Sequence, residues 1–173
     1  MRTPSASGSH ASFTGTHVNF NFNALEFCNS DRIILDSGAS CHMTFDKDLL
    51  SDFTPLSHSE TVQLGDGKTV HAKGKGKLNF DLLHDDGSTL SATLNNCLFV
   101  PELCCTLMSV RAATAHAKRT ILFNGERAYL KKENGIIEGT GSLANGVYTL
   151  DCVLRKPGWG DRGTKSAPVS GQK

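Results

Sequence analysis

The sequence predicts a mainly β chain with one late α-helix. Three observations carry this expectation. First, short apolar or alternating runs recur from Thr61 to Leu150, cut by Asp66-Gly67, Asn124-Gly125, Asn134-Gly135 and Asn145-Gly146. Asx-Gly between alternating segments is the strongest short-range hairpin signal. Second, one stretch reads as a helix, from Thr106 to about Lys118, rich in Ala112, Ala113, Ala115 and Ala117, and alanine is the best helix former. Third, Ile33-Ile34-Leu35 runs straight into Asp36-Ser37-Gly38-Ala39-Ser40. The apolar run reads as a short buried strand, and the glycine and small residues let the chain turn sharply after it. A carboxylate is thereby set on a tight loop at the end of a core strand, which is how one acid is placed accurately.

The chain has 173 residues, a net charge of +1 and 20% charged residues. That length suffices for one domain with a real core, or one domain with tails. The balanced charge gives no strong field to attract nucleic acid or a membrane surface. No apolar run approaches the ~18 residues of a transmembrane helix. The first residues are Ser/Thr/Gly-rich and lack the apolar segment of a secretory signal. None of the six cysteines (Cys28, Cys41, Cys97, Cys104, Cys105, Cys152) forms a Cys-x2-Cys pair, so a zinc site is poorly supported. Reduced thiols, a cytoplasmic location, no cofactor and no metal are the expectation.

Taken in order, residues 1–30 read as a flexible linker, with a weak strand signal at Val18, Phe20 and Phe22. After the Asp36 loop, Asp46 to Phe53 reads as a short helical turn ended by Pro55. Thr61–Leu64 and Thr69–Ala72 form a hairpin around Gly65-Asp66-Gly67-Lys68. Lys73-Gly74-Lys75-Gly76-Lys77 reads as a solvated strand face rather than a phosphate-binding patch, because the lysines alternate and no aromatics interleave. Its glycines suit close packing or a bulge. Leu78–Leu82 is a strand and His84–Ser88 a turn, with too few ligands for a metal. Thr89–Leu94 is a strand, Asn95-Asn96 a turn, and Cys97–Val100 a strand stopped by Pro101. After the helix come Ile121–Phe123, Ala128–Leu130, Ile136-Ile137 and Val147–Leu150. The expected division is 1–30 linker, 31–119 main domain, 120–152 C-terminal strands and 153–173 disordered tail.

The segment Leu35-Asp36-Ser37-Gly38-Ala39-Ser40-Cys41-His42-Met43-Thr44 resembles the active-site segment of retroviral-type aspartic proteases. More narrowly, it resembles the protease of copia-type LTR retrotransposon polyproteins, where Asp-Ser-Gly-Ala-Ser is followed by one variable residue and His-Met-Thr. The block running through Cys97–Val100 and Pro101 resembles the family's strand leading to the loop behind the active site. Ser109 stands where most retroviral proteases have glycine, as in the copia type. Val147-Tyr148-Thr149-Leu150 resembles the passage into the pre-integrase region. The resemblance covers about residues 31–150. It departs at Ile33, where the family usually has tryptophan; both are bulky and apolar. The Gag zinc knuckle that usually precedes such a protease is absent from this sequence.

The resemblance implies a retropepsin-like closed or semi-closed β-barrel and a homodimeric aspartic endopeptidase acting on its own Gag-Pol precursor. Such a site needs two carboxylates in contact, one ionised to activate water and one protonated to polarise the scissile carbonyl. Two like charges that close cannot both ionise, so the pair shares one proton. This chain has a single Asp-Ser/Thr-Gly in a strand-to-turn setting, so the second Asp36 is expected from a second copy across a twofold axis. Asp36 is then catalytic, and Ser37 bonds across the dimer axis. Gly38 admits substrate backbone, while Ala39 and Ser40 line adjacent subsites. Leu64, Gly65, Asp66, Gly67, Lys68 and Thr69 form the flap over a peptide or polyprotein substrate. Nucleic-acid and membrane partners are not expected.

Other readings exist. Asp-Ser-Gly alone often starts an ordinary turn, and Asp66-Gly67 alone marks an ordinary surface hairpin. A silent retrotransposon remnant could bind peptides or dimerise without cutting. A nucleic-acid accessory role would rest on the Lys-Gly repeat and show steep salt dependence. A cysteine-protease reading of Cys41 and His42 is poor, because adjacent side chains on an extended segment point apart.

Overall fold

The computed structural model describes residues 31–65, 67–115 and 118–158. The signal at Val18, Phe20 and Phe22, the 1–30 linker and most of the 153–173 tail lie outside the described residues, as do Asp66, His116 and Ala117. The architecture is mainly β. Eleven strands join one sheet, and the only regular α-helix among the described residues is α1, Val110–Ala115.

The strands are β1 (Ile33–Asp36), β2 (Met43–Thr44), β3 (Leu50–Gln63), β4 (Thr69–Leu83), β5 (Thr89–Phe99), β6 (Thr106–Ser109), β7 (Thr120–Asn124), β8 (Arg127–Lys131), β9 (Ile137–Ala144), β10 (Val147–Leu150) and β11 (Cys152–Leu154). Across the sheet they run β11, β4, β5, β2, β6, β1, β10, β9, β8, β7, with β3 also on β4. The sheet curls without closing, as in a semi-closed barrel. Where it comes round, the end of β4 meets β9. Leu83 N–H donates to the Asp151 carbonyl and Asp151 N–H to the Thr140 carbonyl, each at 2.9 Å. His84 Nε2 lies 3.0 Å from the Glu138 carbonyl oxygen. No described helix is long and apolar enough to cross a membrane.

β1 sits in the middle of this sheet. It pairs in parallel with β6, Asp36 opposite Ser109, and antiparallel with β10, Ile34 opposite Thr149. Its unbroken apolar run follows from burial on both faces. Ile33 and Leu35 enter the main core with Leu78, Phe80, Leu94, Met108, Ala128, Leu130 and Leu150. Ile34 faces a smaller cluster with Cys105. Full burial of each such side chain is worth about 1.5–3 kcal/mol, so the strand that carries Asp36 is firmly held.

Around β4 the alternation is clean: Lys73, Lys75 and Lys77 are exposed, and Gly74 and Gly76 lie on the buried face. A Cβ on Gly74 would strike the Phe53 ring, and one on Gly76 would sit 2.7 Å from the Ser51 carbonyl oxygen. These glycines serve close packing. Opposite them, the pairs Gly76–Cys97 and Leu78–Leu94 are separated by an irregularity, a bulge that Asn96 accommodates at φ +54°.

Three local expectations are corrected. Asp46 to Phe53 does hold a helical turn, a single 3-10 turn at Lys47–Leu49 capped by Asp46 Oδ1 accepting Asp48 N–H at 2.9 Å, but Pro55 does not end it. β3 then continues through Pro55, between two breaks in its pairing with β4, which an edge strand tolerates because one side of its backbone needs no ladder bond. Asn95-Asn96 does not end a strand but lies inside β5. Thr106–Ser109 is not the start of the helix but the strand β6, because pairing with β1 and β2 outweighs local propensity.

The C-terminal strands are continuous with the rest. β7 to β10 form a meander hydrogen-bonded onto β1. β11 pairs Cys152–Leu154 with Phe80–Leu82 of β4, taking over that edge beyond the end of the β3 pairing at Leu78.

Candidate active site

Asp36 is the last residue of β1 and is half-buried, while Ser37 and Gly38 beyond it are exposed. Its Oδ1 accepts the Gly38 N–H at 2.7 Å. The carboxylate is thus oriented by its own loop. A Cβ on Gly38 would sit 3.3 Å from that same Oδ1, so a larger residue there would push on the carboxylate. Ala39 is buried, and Ser40 is exposed with its carbonyl 3.4 Å from Arg111 Nη1.

Ser109 braces the loop from behind. Its Oγ donates to the Ala39 carbonyl at 2.6 Å and accepts the Ala112 N–H at 3.0 Å, capping α1. Its backbone N–H donates to His42 Nδ1 at 3.1 Å. One fully buried residue therefore ties the loop, the helix start and the end of β6 together. His42 is buried, and burial holds its imidazole below the usual histidine range. That agrees with its geometry, because Nδ1 can accept only while unprotonated. Below the loop, Thr44 Oγ1 and Thr106 Oγ1 share a buried hydrogen bond of 2.9 Å, which locks β2 to β6. The role of these supports was not derivable from the motif. The signal for them was the His-Met-Thr that follows Asp-Ser-Gly-Ala-Ser, together with the serine in the glycine place.

Cys41 and His42 do not form a nucleophile–base pair. The His42 Nδ1 is occupied by Ser109. Burial pushes the Cys41 thiol up, Ser40 offsets part of this, and Glu60 adds to it. The thiol is thereby kept protonated at neutral pH, the wrong state for a nucleophile.

The hairpin between β3 and β4 closes by Leu64 N–H to the Lys68 carbonyl at 2.8 Å and Gly67 N–H to the Leu64 carbonyl at 2.9 Å. Gly67 turns at φ +83°, which favours glycine. Gly65, Gly67, Lys68 and Thr69 are exposed and Leu64 is half-buried, while Asp66 lies outside the described residues. Lower on the hairpin, Leu56, Val62, Leu64, Val70 and Ala72 share an apolar cluster with Ala39, Cys41 and Met43. The structure thus brings the hairpin and the Asp36 loop against one another. Surface clefts of about 330 Å³, beside Leu83, Arg127 and Tyr129, and of about 580 Å³, beside Arg119 and Lys132, do not include Asp36. Among the described residues, no group of three or more His, Cys, Asp or Glu is arranged for a metal ion.

The fold is a semi-open β-barrel, and its Asp-Ser-Gly loop lies at the end of a central strand. Residues 33–118 match the family model described as Pol polyprotein, beta-barrel domain. The match supports a retroelement Pol origin for this region of the chain. Comparisons with curated proteins and with solved structures returned no match.

Proposed function

We propose that this chain is the aspartic endopeptidase of a copia-type retrotransposon, cutting peptide bonds in its own Gag-Pol-like polyprotein. The observation that carries the reading is the placement of Asp36. It sits at the end of a doubly paired core strand, oriented by the Gly38 N–H and braced by Ser109. In the proposed dimer, two Asp36 carboxylates meet and share a proton. The ionised one takes a proton from water as that water attacks, and the protonated one donates toward the scissile carbonyl oxygen. β1 is paired along both edges within one chain, so contact between copies runs through the exposed loop residues Ser37, Gly38 and Ser40. The β3–β4 hairpin closes over the peptide and excludes water. Cys41, Cys97 and Cys152 are free thiols, which fits a cytoplasmic location.

The test is cleavage of a precursor spanning this region, wild type against Asp36→Asn. The variant is expected to keep the wild-type melting temperature and to lose cleavage by at least the ~10²–10⁴-fold typical of a lost acid–base group. Excess Asp36→Asn chain should also poison wild-type activity, because each mixed dimer keeps a single catalytic carboxyl. Cleavage by the purified variant at the wild-type rate removes the protease assignment. Specific peptide binding without cleavage by the wild type moves it to a silent binding module.

A further inference from the structure

We infer that the folded unit carrying Asp36 runs to Leu154, well past the segment that matches the Pol β-barrel family, and that β10 is one of the two walls holding Asp36 in place. On the proposed function, which this last step rests on, any processing cut that releases an active protease falls beyond Leu154.

The grounds are pairing, packing and ties between distant segments. β1 is only four residues long, too short to hold itself by propensity. One edge is covered by β6 and the other by β10. If the chain ended near residue 118, the β10 side of β1 would present unpaired backbone groups beside a buried core. The same truncation would remove Ala128, Leu130, Leu150 and Leu154, all members of the core that packs Ile33 and Leu35. Gly141 marks how closely these parts approach, since a Cβ there would lie 2.8 Å from the Thr149 carbonyl and 3.2 Å from Leu35 Cδ1.

The last strand is also anchored backward. Arg155 N–H donates to the Asn79 carbonyl at 2.9 Å, its side chain pairs with Asp81, and Lys156 Nζ lies 3.6 Å from Asp46. Asp151 ties the C-terminal strands to one another through Thr140 Oγ1 at 2.7 Å, Ser142 Oγ at 3.0 Å and Arg127 at 3.6 Å. Segments at both ends of the described chain therefore depend on each other.

The test uses the full chain with a site-specific protease sequence inserted either between Lys118 and Arg119 or after Gly158. Cutting after Gly158 should leave the melting temperature unchanged. Cutting at Lys118 should leave two pieces that co-elute in native buffer, melt several degrees lower than the uncut chain and separate only in denaturant. Separation in native buffer, with the N-terminal piece melting like the intact chain, overturns the inference. A second variant needs no insertion. Gly141→Val should speed hydrogen exchange at Ile33–Asp36 as well as in β9 and β10. Faster exchange confined to β9 and β10 overturns the inference too. Neither readout uses cleavage activity, so failure here is distinct from failure of the protease assignment.

Discussion

The Asp36 loop and the β3–β4 hairpin touch, yet they are built on opposite plans. The loop is short and fixed from several directions. Ser109 alone bonds the Ala39 carbonyl, the Ala112 N–H and His42 Nδ1, and its strand is buried on both faces. The hairpin is long, and its β3 arm is lightly held. β3 lies at the sheet edge, most of its side chains are exposed, and its pairing with β4 is interrupted between Ser51 and Thr54 and again between Pro55 and Glu60. Its firm attachment is at the base, where Phe53 packs edge-on to Phe99 at 6.1 Å and Lys47 Nζ sits 4.6 Å from the Phe53 ring centre. The contrast teaches how one sheet combines a firmly braced acid with a more exposed hairpin beside it. Positional accuracy at the loop comes from buried side chain–backbone bonds, whereas in the hairpin only the β3 arm lies at the edge and the buried side chains, Val70 and Ala72, belong to β4.

The sharpest way to break this comparison is to remove the brace. Ser109→Ala deletes an N-cap and leaves the buried side of the Ala39 carbonyl without its donor. The expected loss is about 2–3 kcal/mol, seen as a lower denaturation midpoint and as faster hydrogen exchange at residues 36–42. A variant with wild-type stability and an unchanged loop would mean that rigidity there has another source.

A smaller effect follows from His42. Its folded pKa lies below the ordinary 6.5 because the ring is buried. The stability it contributes is therefore complete above about pH 6.5 and is lost as pH falls through the depressed folded value, where protonation removes the acceptor for the Ser109 N–H. Urea midpoints measured between pH 7.5 and pH 5 should decline, and His42→Asn, which keeps an acceptor but does not titrate, should flatten part of that decline. Identical pH curves for the two proteins would remove His42 from the brace.

The smallest effect on stability is expected at the hairpin tip. Gly67→Ala places a side chain at φ +83° and costs about 1 kcal/mol. Nothing lies within 4 Å of the added Cβ, so the core is untouched. If the hairpin is the cover, peptide cleavage falls more than the melting temperature suggests. Unchanged kcat and KM would mark it as an ordinary surface hairpin.

Much of this chain was legible from residues alone. The Asx-Gly turns at Asn124, Asn134 and Asn145 announced the C-terminal meander, because turn chemistry is local and glycine at positive φ leaves few alternatives. The lysine–glycine alternation announced a strand with one solvated face and one tightly packed face. The Ile33–Ser40 segment announced a carboxylate on a turn after a buried strand, since apolar run and small residues each act over a few positions. The tertiary structure alone decided the rest. Thr106–Ser109 has no helix-breaking residue to mark it as a strand, and became one because β1 and β2 lie beside it. Pro55 stayed inside a strand because that strand is at an edge. The brace by Ser109 and His42 joins residues 67 positions apart, and the pairing of Ile34 with Thr149 spans most of the described chain. Such partners are set by the cost of leaving a buried backbone or side-chain group unpaired, and that cost exists only once the chain has folded around them.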